Sequence, residues 1–194
     1  MDNSNDRRVR KTKALIRQSL TQLLSAKELS DISVSELTKL SDISRGTFYL
    51  HYKNVFDLFE QTENELVADV CTIISDLRGQ QQWPSASAML DLFRYVAANA
   101  DFFAAVLRVK ETEFFKKLTD QLKPQTAEDW ANLLQGADES MFEYCYAFVA
   151  SGCTALLKQW FLSGMKERPE VIAHFASQLT NHLFVTAARI KAPS

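Results

Sequence analysis

Apolar residues recur along this chain at intervals of three and four, the spacing that puts side chains on one face of an α-helix. Ile16, Leu20, Leu23 and Leu24 predict an amphipathic helix over about 8–26, its other face carrying bases. Ser33-Val34-Ser35-Glu36 has the form of a capping box, and Val34, Leu37 and Leu40 then point one way, so a short helix spans 34–40. Ser41-Asp42-Ile43 breaks it. Ser44 is a second N-cap, and the stretch through Tyr52 precedes a third start signal, Asn54 with Asp57 three residues on. Phe56, Phe59, Leu66, Val70, Ile73 and Leu77, interrupted at Glu63, predict a helix over 54–78. At ~1.5 Å per residue it is roughly 37 Å long, enough to link two domains.

Punctuation comes late. Gly79 to Ser85 is the first break, and Pro124, Gly136, Gly164 and Pro169 mark further joints. Two long helices close the chain, about 138–163 and 169–190, with Asp138 as N-cap of one and Pro169 opening the other. The earlier carries one apolar stripe at Cys145, Val149, Gly152, Leu156 and Trp160 and another at Phe142, Tyr146, Ala150, Cys153, Leu157 and Phe161. A helix apolar on two faces needs two burial partners. One is its own core. The second is the same helix in another protomer, which makes Val149, Gly152, Leu156 and Trp160, with Phe175 and Leu179 of the last helix, candidates for a two-fold interface. Burial wholly inside one chain is the alternative.

The chain's 194 residues, 46% of them apolar, suit one large domain or two small ones. No apolar run approaches 18 residues and the N-terminus lacks a secretory h-region, so no membrane partner and a cytoplasmic location are expected. The overall charge of -2 conceals a division: residues 1–55 carry 10 Lys/Arg against 6 Asp/Glu, and the remainder 12 against 18. Arg7, Arg8, Arg10, Lys11, Lys13 and Arg17 follow one another with no acid between, as on a surface that meets a polyanion.

Two short capped helices across a three-residue turn have the spacing of a helix-turn-helix, whose second helix enters a major groove about 12 Å wide. There Arg45 can fork onto guanine or phosphate, Gly46 lets the backbone approach, and Thr47 can touch a base edge or a thymine methyl. Tyr49, His51 and Lys53 can reach phosphates, and Phe48 faces inward. Ser33, Ser44 and Tyr52 complete the candidate set. A small helical core with ordinary half-buried tyrosines is the competing reading.

The run Ile43-Ser44-Arg45-Gly46-Thr47-Phe48-Tyr49-Leu50-His51-Tyr52-Lys53 resembles the recognition helix of the TetR family of bacterial transcriptional regulators. Phe148-Val149-Ala150-Ser151-Gly152 with Trp160, then Pro169-Glu170-Val171-Ile172-Ala173, is similar to the C-terminal region of one subgroup. The resemblance implies an all-α protein: three N-terminal helices on DNA, a larger helical domain for a small ligand and dimerisation, and a homodimer on a palindrome. The expected division is 1–54 and 55–194. Two departures stand out. Asp42 occupies the turn where the family has Gly, and Val55 stands where a Lys commonly opens the fourth helix as a phosphate contact, a role that passes to Lys53.

Between the linking helix and the final pair, Phe93, Phe102, Phe103, Phe114 and Trp130 are candidates to line an apolar ligand cavity, against the plainer reading of solid core. No nucleophile elbow, Walker loop, zinc-protease motif or dinucleotide turn appears. His174 and His182 stand ~12 Å apart by helical rise, too far to share a metal. Cys71, Cys145 and Cys153 form no C-x-x-C pair and suit core packing, with a redox sensor at Cys145 or Cys153 as the alternative. The expectation is therefore a ligand-responsive dimeric repressor of a double-stranded operator, released by a small apolar or amphipathic effector, with no cofactor, metal or catalytic residue. A helical interaction module or small-molecule enzyme without DNA binding is the rival reading.

Overall fold

Ile16, Leu20 and Leu24 share one side of α1 (Asn3–Leu24), and their complete burial supplies the energy that holds this helix in place. The structure, a computed structural model, describes residues 3–79, 86–133 and 139–187, all-helical among those residues with no strand. After α1 come a 3-10 turn (Leu29–Asp31), α2 (Val34–Leu40), α3 (Arg45–Tyr49), α4 (Val55–Gly79), α5 (Ala86–Ala98), α6 (Ala100–Leu133), α7 (Glu139–Leu162) and α8 (Pro169–Ala187).

The chain forms two compact units, and they do not part at 54/55. The first contains residues up to Leu66 together with Asp101–Glu111. The reason is burial: Leu58, Phe59 and Leu66 of α4 are fully enclosed, and Phe102 of α6 lies against Phe59 with ring centroids 6.0 Å apart. The Arg17 guanidinium covers the Phe102 ring at 5.2 Å. Arg108 donates to the carbonyl of Leu24, an acceptor that the end of α1 leaves without an intrahelical partner, and to that of Lys27 just beyond the helix. Phe56, expected in the inward stripe of α4, is 58% exposed because Val55 takes the inward position one residue earlier.

The second unit comprises Val67–Ala100 and Thr112 onward. α5 packs along α8, and Phe93 meets Trp160 of α7 edge-on at 5.3 Å. Tyr95 donates to Asp69 at 2.6 Å and Tyr146 to the Thr119 carbonyl at 2.7 Å, tying α5 to α4 and α7 to α6. Cys145, Tyr146 and Val149 close a core with Phe184 and Ala187 of α8. At the end of α7, Gly164 (φ 79) lets its own amide reach the Phe161 carbonyl and the Met165 amide reach that of Trp160. That makes the joint expected at Gly164 a left-handed helix stop, and α8 begins at Pro169 as expected.

Pro124 is no joint. α6 runs through it, and the departure from helical geometry falls at Lys110 (φ -146, ψ 42). Proline lacks one amide donor, and Pro124 stands exposed on the helix. Asp138, Gly136 and the 80–85 stretch lie outside the described residues.

Candidate nucleic-acid interface

The helix-turn-helix is built by its caps. Ser33 Oγ accepts from the Glu36 amide at 3.2 Å while Glu36 Oε2 takes the Ser33 amide at 3.1 Å and the Ser33 hydroxyl at 2.9 Å, and Lys27 pairs with the other carboxylate oxygen. The Lys27 ammonium first, then the Ser33 amide and hydroxyl, hold the Glu36 carboxyl down from 4.5 to about 2. A carboxyl depressed in the folded chain adds stability above its unfolded value and loses it as the pH falls through the folded one. The cap is therefore intact at neutral pH and fails only in the window from about 4.5 down to about 2. Ser33→Ala is expected to cost about 1 kcal/mol of stability and to move the Glu36 titration upward, measurable by denaturant melts and an NMR pH series.

α2 ends in a turn that requires a left-handed residue. Asp42 sits at φ 51, and the Ile43 amide closes back onto the Thr38 carbonyl at 3.0 Å. Asp is among the few side chains that adopt this conformation readily, so it serves where Gly is usual. Ser44 then opens α3, its Oγ accepting from the Thr47 amide at 3.0 Å and lying 2.9 Å from the Thr47 hydroxyl. Beyond α3, Asn54 Oδ1 caps the Asp57 amide at 2.8 Å, and Asp57 reaches back to the Lys53 amide at 2.7 Å. That amide and Gln61 lower the Asp57 pKa.

Between these caps α3 is two-sided. Phe48 is fully buried and Tyr52 is 4% exposed, the two rings 5.7 Å apart, with the Lys13 ammonium 5.9 Å from the Tyr52 centroid. Tyr52, expected among the DNA contacts, is therefore a core residue, and desolvation raises its hydroxyl pKa to about 12. Outward stand Arg45, Gly46, Tyr49, Leu50 and Lys53, with Thr47 and His51 half-buried. The Ser33 hydroxyl, expected among the DNA contacts, is engaged in its own cap. Arg7, Arg8, Arg10 and Lys11 are exposed along α1.

Residues 85–182 match the family described as transcriptional regulator C-terminal region. The chain belongs to the TetR family. No curated protein matches it in sequence. Among solved structures, it is similar to the dihydroxyacetone kinase operon activator DhaS: TM-score 0.67, 19% identity, covering 93% of this chain and 98% of that one. A TetR regulator from Streptococcus agalactiae aligns with TM-score 0.59 at 19% identity over 91% of this chain and 97% of its own. The TetR family repressor AlkX from Dietzia, implicated in biodegradation of n-alkanes, gives 0.54 at 17% over 93% and 99%. At these identities the structures share the fold. Membership makes this TetR chain a ligand-responsive, DNA-binding transcriptional regulator, not an enzyme.

The remaining sequence expectations divide. Phe102 and Phe103 belong to the first unit and Phe93 and Phe114 to the second; all four are at most 3% exposed. Phe102 packs between Phe59 and Arg17, and Phe93 packs edge-on against Trp160. The Trp130 side chain lies outside the described residues. Of the candidate dimer contacts, Val149 and Trp160 face their own core, Leu156 is half-buried, and Gly152, Phe175 and Leu179 are exposed. The exposed stripe of α7 runs instead through Tyr144, Phe148, Gly152, Ala155 and Leu162, beside Val171, Phe175, Leu179 and Val185 on α8. Reading α7 as two apolar faces hid a third, offset by one residue from the stripe chosen. Burial pushes the Cys145 and Cys153 thiols up, away from the reactive thiolate. His174 and His182 are exposed, and no metal-holding cluster occurs among the described residues. No described helix is long and apolar enough to cross a membrane.

Leu50 was missed. Its neighbours three and four residues away are Gly46, Thr47, Lys53 and Asn54, none of them apolar, a signal already present in the sequence.

Proposed function

We propose that this TetR regulator acts in the cytoplasm as a homodimeric repressor, laying one α3 per half-site of a palindromic operator into successive major grooves. A small apolar or amphipathic effector held by the second unit would release it. The observation that carries the DNA reading is the division of α3: Phe48 and Tyr52 anchor it inward, leaving Arg45, Gly46, Tyr49 and Lys53 outward, and the bases Arg7, Arg8, Arg10 and Lys11 are likewise exposed on α1. Arg45 and Thr47, at the start of the helix, serve base edges; Tyr49, His51 and Lys53 serve phosphates, as do Arg7, Arg8 and Arg10. The exposed stripes of α7 and α8 support the two-fold interface. The alkane connection named for AlkX fits an apolar effector, and DhaS, named an activator, makes the direction of control part of the test.

Selection on randomised duplexes is expected to enrich a palindrome for the wild type. Arg45→Ala and Thr47→Ala each cost about 1–3 kcal/mol at one base position per half-site and flatten preference there. Tyr49→Phe weakens all sequences alike, since a phosphate hydrogen bond carries no base information. No enriched palindrome, or an unchanged motif after Arg45 and Thr47 are both removed, defeats the reading. A reporter fused to the operator gives the sign of control: expression that falls on deleting the regulator means activation.

A further inference from the structure

Leu50 is 81% exposed, the most of any large apolar side chain among the described residues. It caps α3, donating its amide to the Gly46 carbonyl at 3.1 Å, so it stands one turn beyond Gly46 on the same side of the helix. Gly46 adds a second oddity. A Cβ built there meets only Ser44 Oγ at 3.6 Å, ordinary contact, and its φ lies outside the left-handed region. Alanine would fit and would favour the helix. Nothing within the chain calls for glycine at 46 or leucine at 50, yet the pair makes one surface, a notch followed by an apolar projection. That surface is continuous with Arg45, Tyr49 and Lys53, and its two exposed cations suit a polyanion better than an apolar protein face.

We infer that Leu50 is a specificity residue that reads thymine, packing its methyl groups on the C5-methyl displayed in the major groove, while Gly46 lets the helix backbone close on the duplex. The inference rests on α3 being the DNA-reading helix. Thymine is the one base with a methyl in that groove, and an apolar contact there distinguishes it without any hydrogen bond. Arg45 and Leu50 are five residues apart, a helical rise of about 7.5 Å or roughly two base steps of about 3.4 Å each, so the thymine lies about two base pairs from a position read by Arg45.

The test replaces each thymine of the selected operator in turn by deoxyuridine, which removes the C5-methyl and keeps the pairing. For the wild type, one thymine per half-site is expected to lose about fourfold in affinity on this change, and the symmetric pair roughly fifteenfold, the worth of one buried methyl per site. In Leu50→Ala the same uridine costs nothing, whereas discrimination at the Arg45-dependent position persists; Leu50→Met retains the uridine penalty. Matching thermal melts of the variants confirm an intact fold. Leu50→Ala with wild-type affinity and wild-type uridine profile overturns the assignment. So does a uniform loss on all duplexes with the profile intact, which marks a sugar contact, and so does a change in self-association alone, which marks a second copy as the occupant. A wild type that enriches no sequence defeats the α3 reading itself, a result distinguishable from all of these.

Discussion

Phe48→Ala is expected to destabilise the protein by about 3–5 kcal/mol and to abolish operator binding together with the fold of the helix-turn-helix. Phe48 is fully buried, contacts both Tyr49 and Tyr52, and is the principal inward anchor of a five-residue helix too short to persist alone. Its loss leaves a cavity beneath α3, so Arg45, Thr47 and Leu50 lose the platform that aims them. Circular dichroism melts beside duplex titrations check this. A variant that melts like the wild type and binds its operator undiminished contradicts the anchoring role.

Gly152→Glu has the second large expected effect: a stable, folded monomer that no longer holds a palindrome. A side chain begun at Gly152 meets nothing within 4 Å, and Glu favours a helix interior over Gly, so the isolated chain tolerates the change or gains from it. In a two-fold seam the same glutamate faces its own symmetry mate in a poorly solvated place, at a cost of about 3–5 kcal/mol for an unpaired buried charge. Analytical ultracentrifugation is the measurement. A wild type already monomeric at micromolar concentration with operator present, or a mutant that remains dimeric, removes α7 from the interface.

How much of this was legible beforehand depended on whether the information was local. The capping box at Ser33, the Ser44 cap, the left-handed turn at Asp42 and the helix stop at Gly164 are set by a few consecutive residues, and each stands where the sequence placed it. Tyr52 is hard to place from sequence because a tyrosine beside candidate contact positions has the same composition whether it points in or out; the packing of Phe48 and Lys13 decides. The face of α7 was misjudged because a helix apolar nearly all round offers several stripes, and only the placement of α8 selects among them. Phe102 could not be assigned from spacing, since its partners Phe59 and Arg17 are distant in the chain.

The unit that carries α3 is discontinuous in sequence, and this has a consequence during synthesis. The ribosome must add the 45 residues from Val67 to Glu111 before the segment that completes it is finished. At about 5–20 residues per second that takes roughly 2–9 s. Until then Phe59 lacks Phe102, and the end of α1 lacks Arg108. The nascent helix-turn-helix is thus open to chaperones and proteases for that interval. A chain ended before residue 101 lacks Asp101–Glu111 and with it the segment that completes the unit carrying α3.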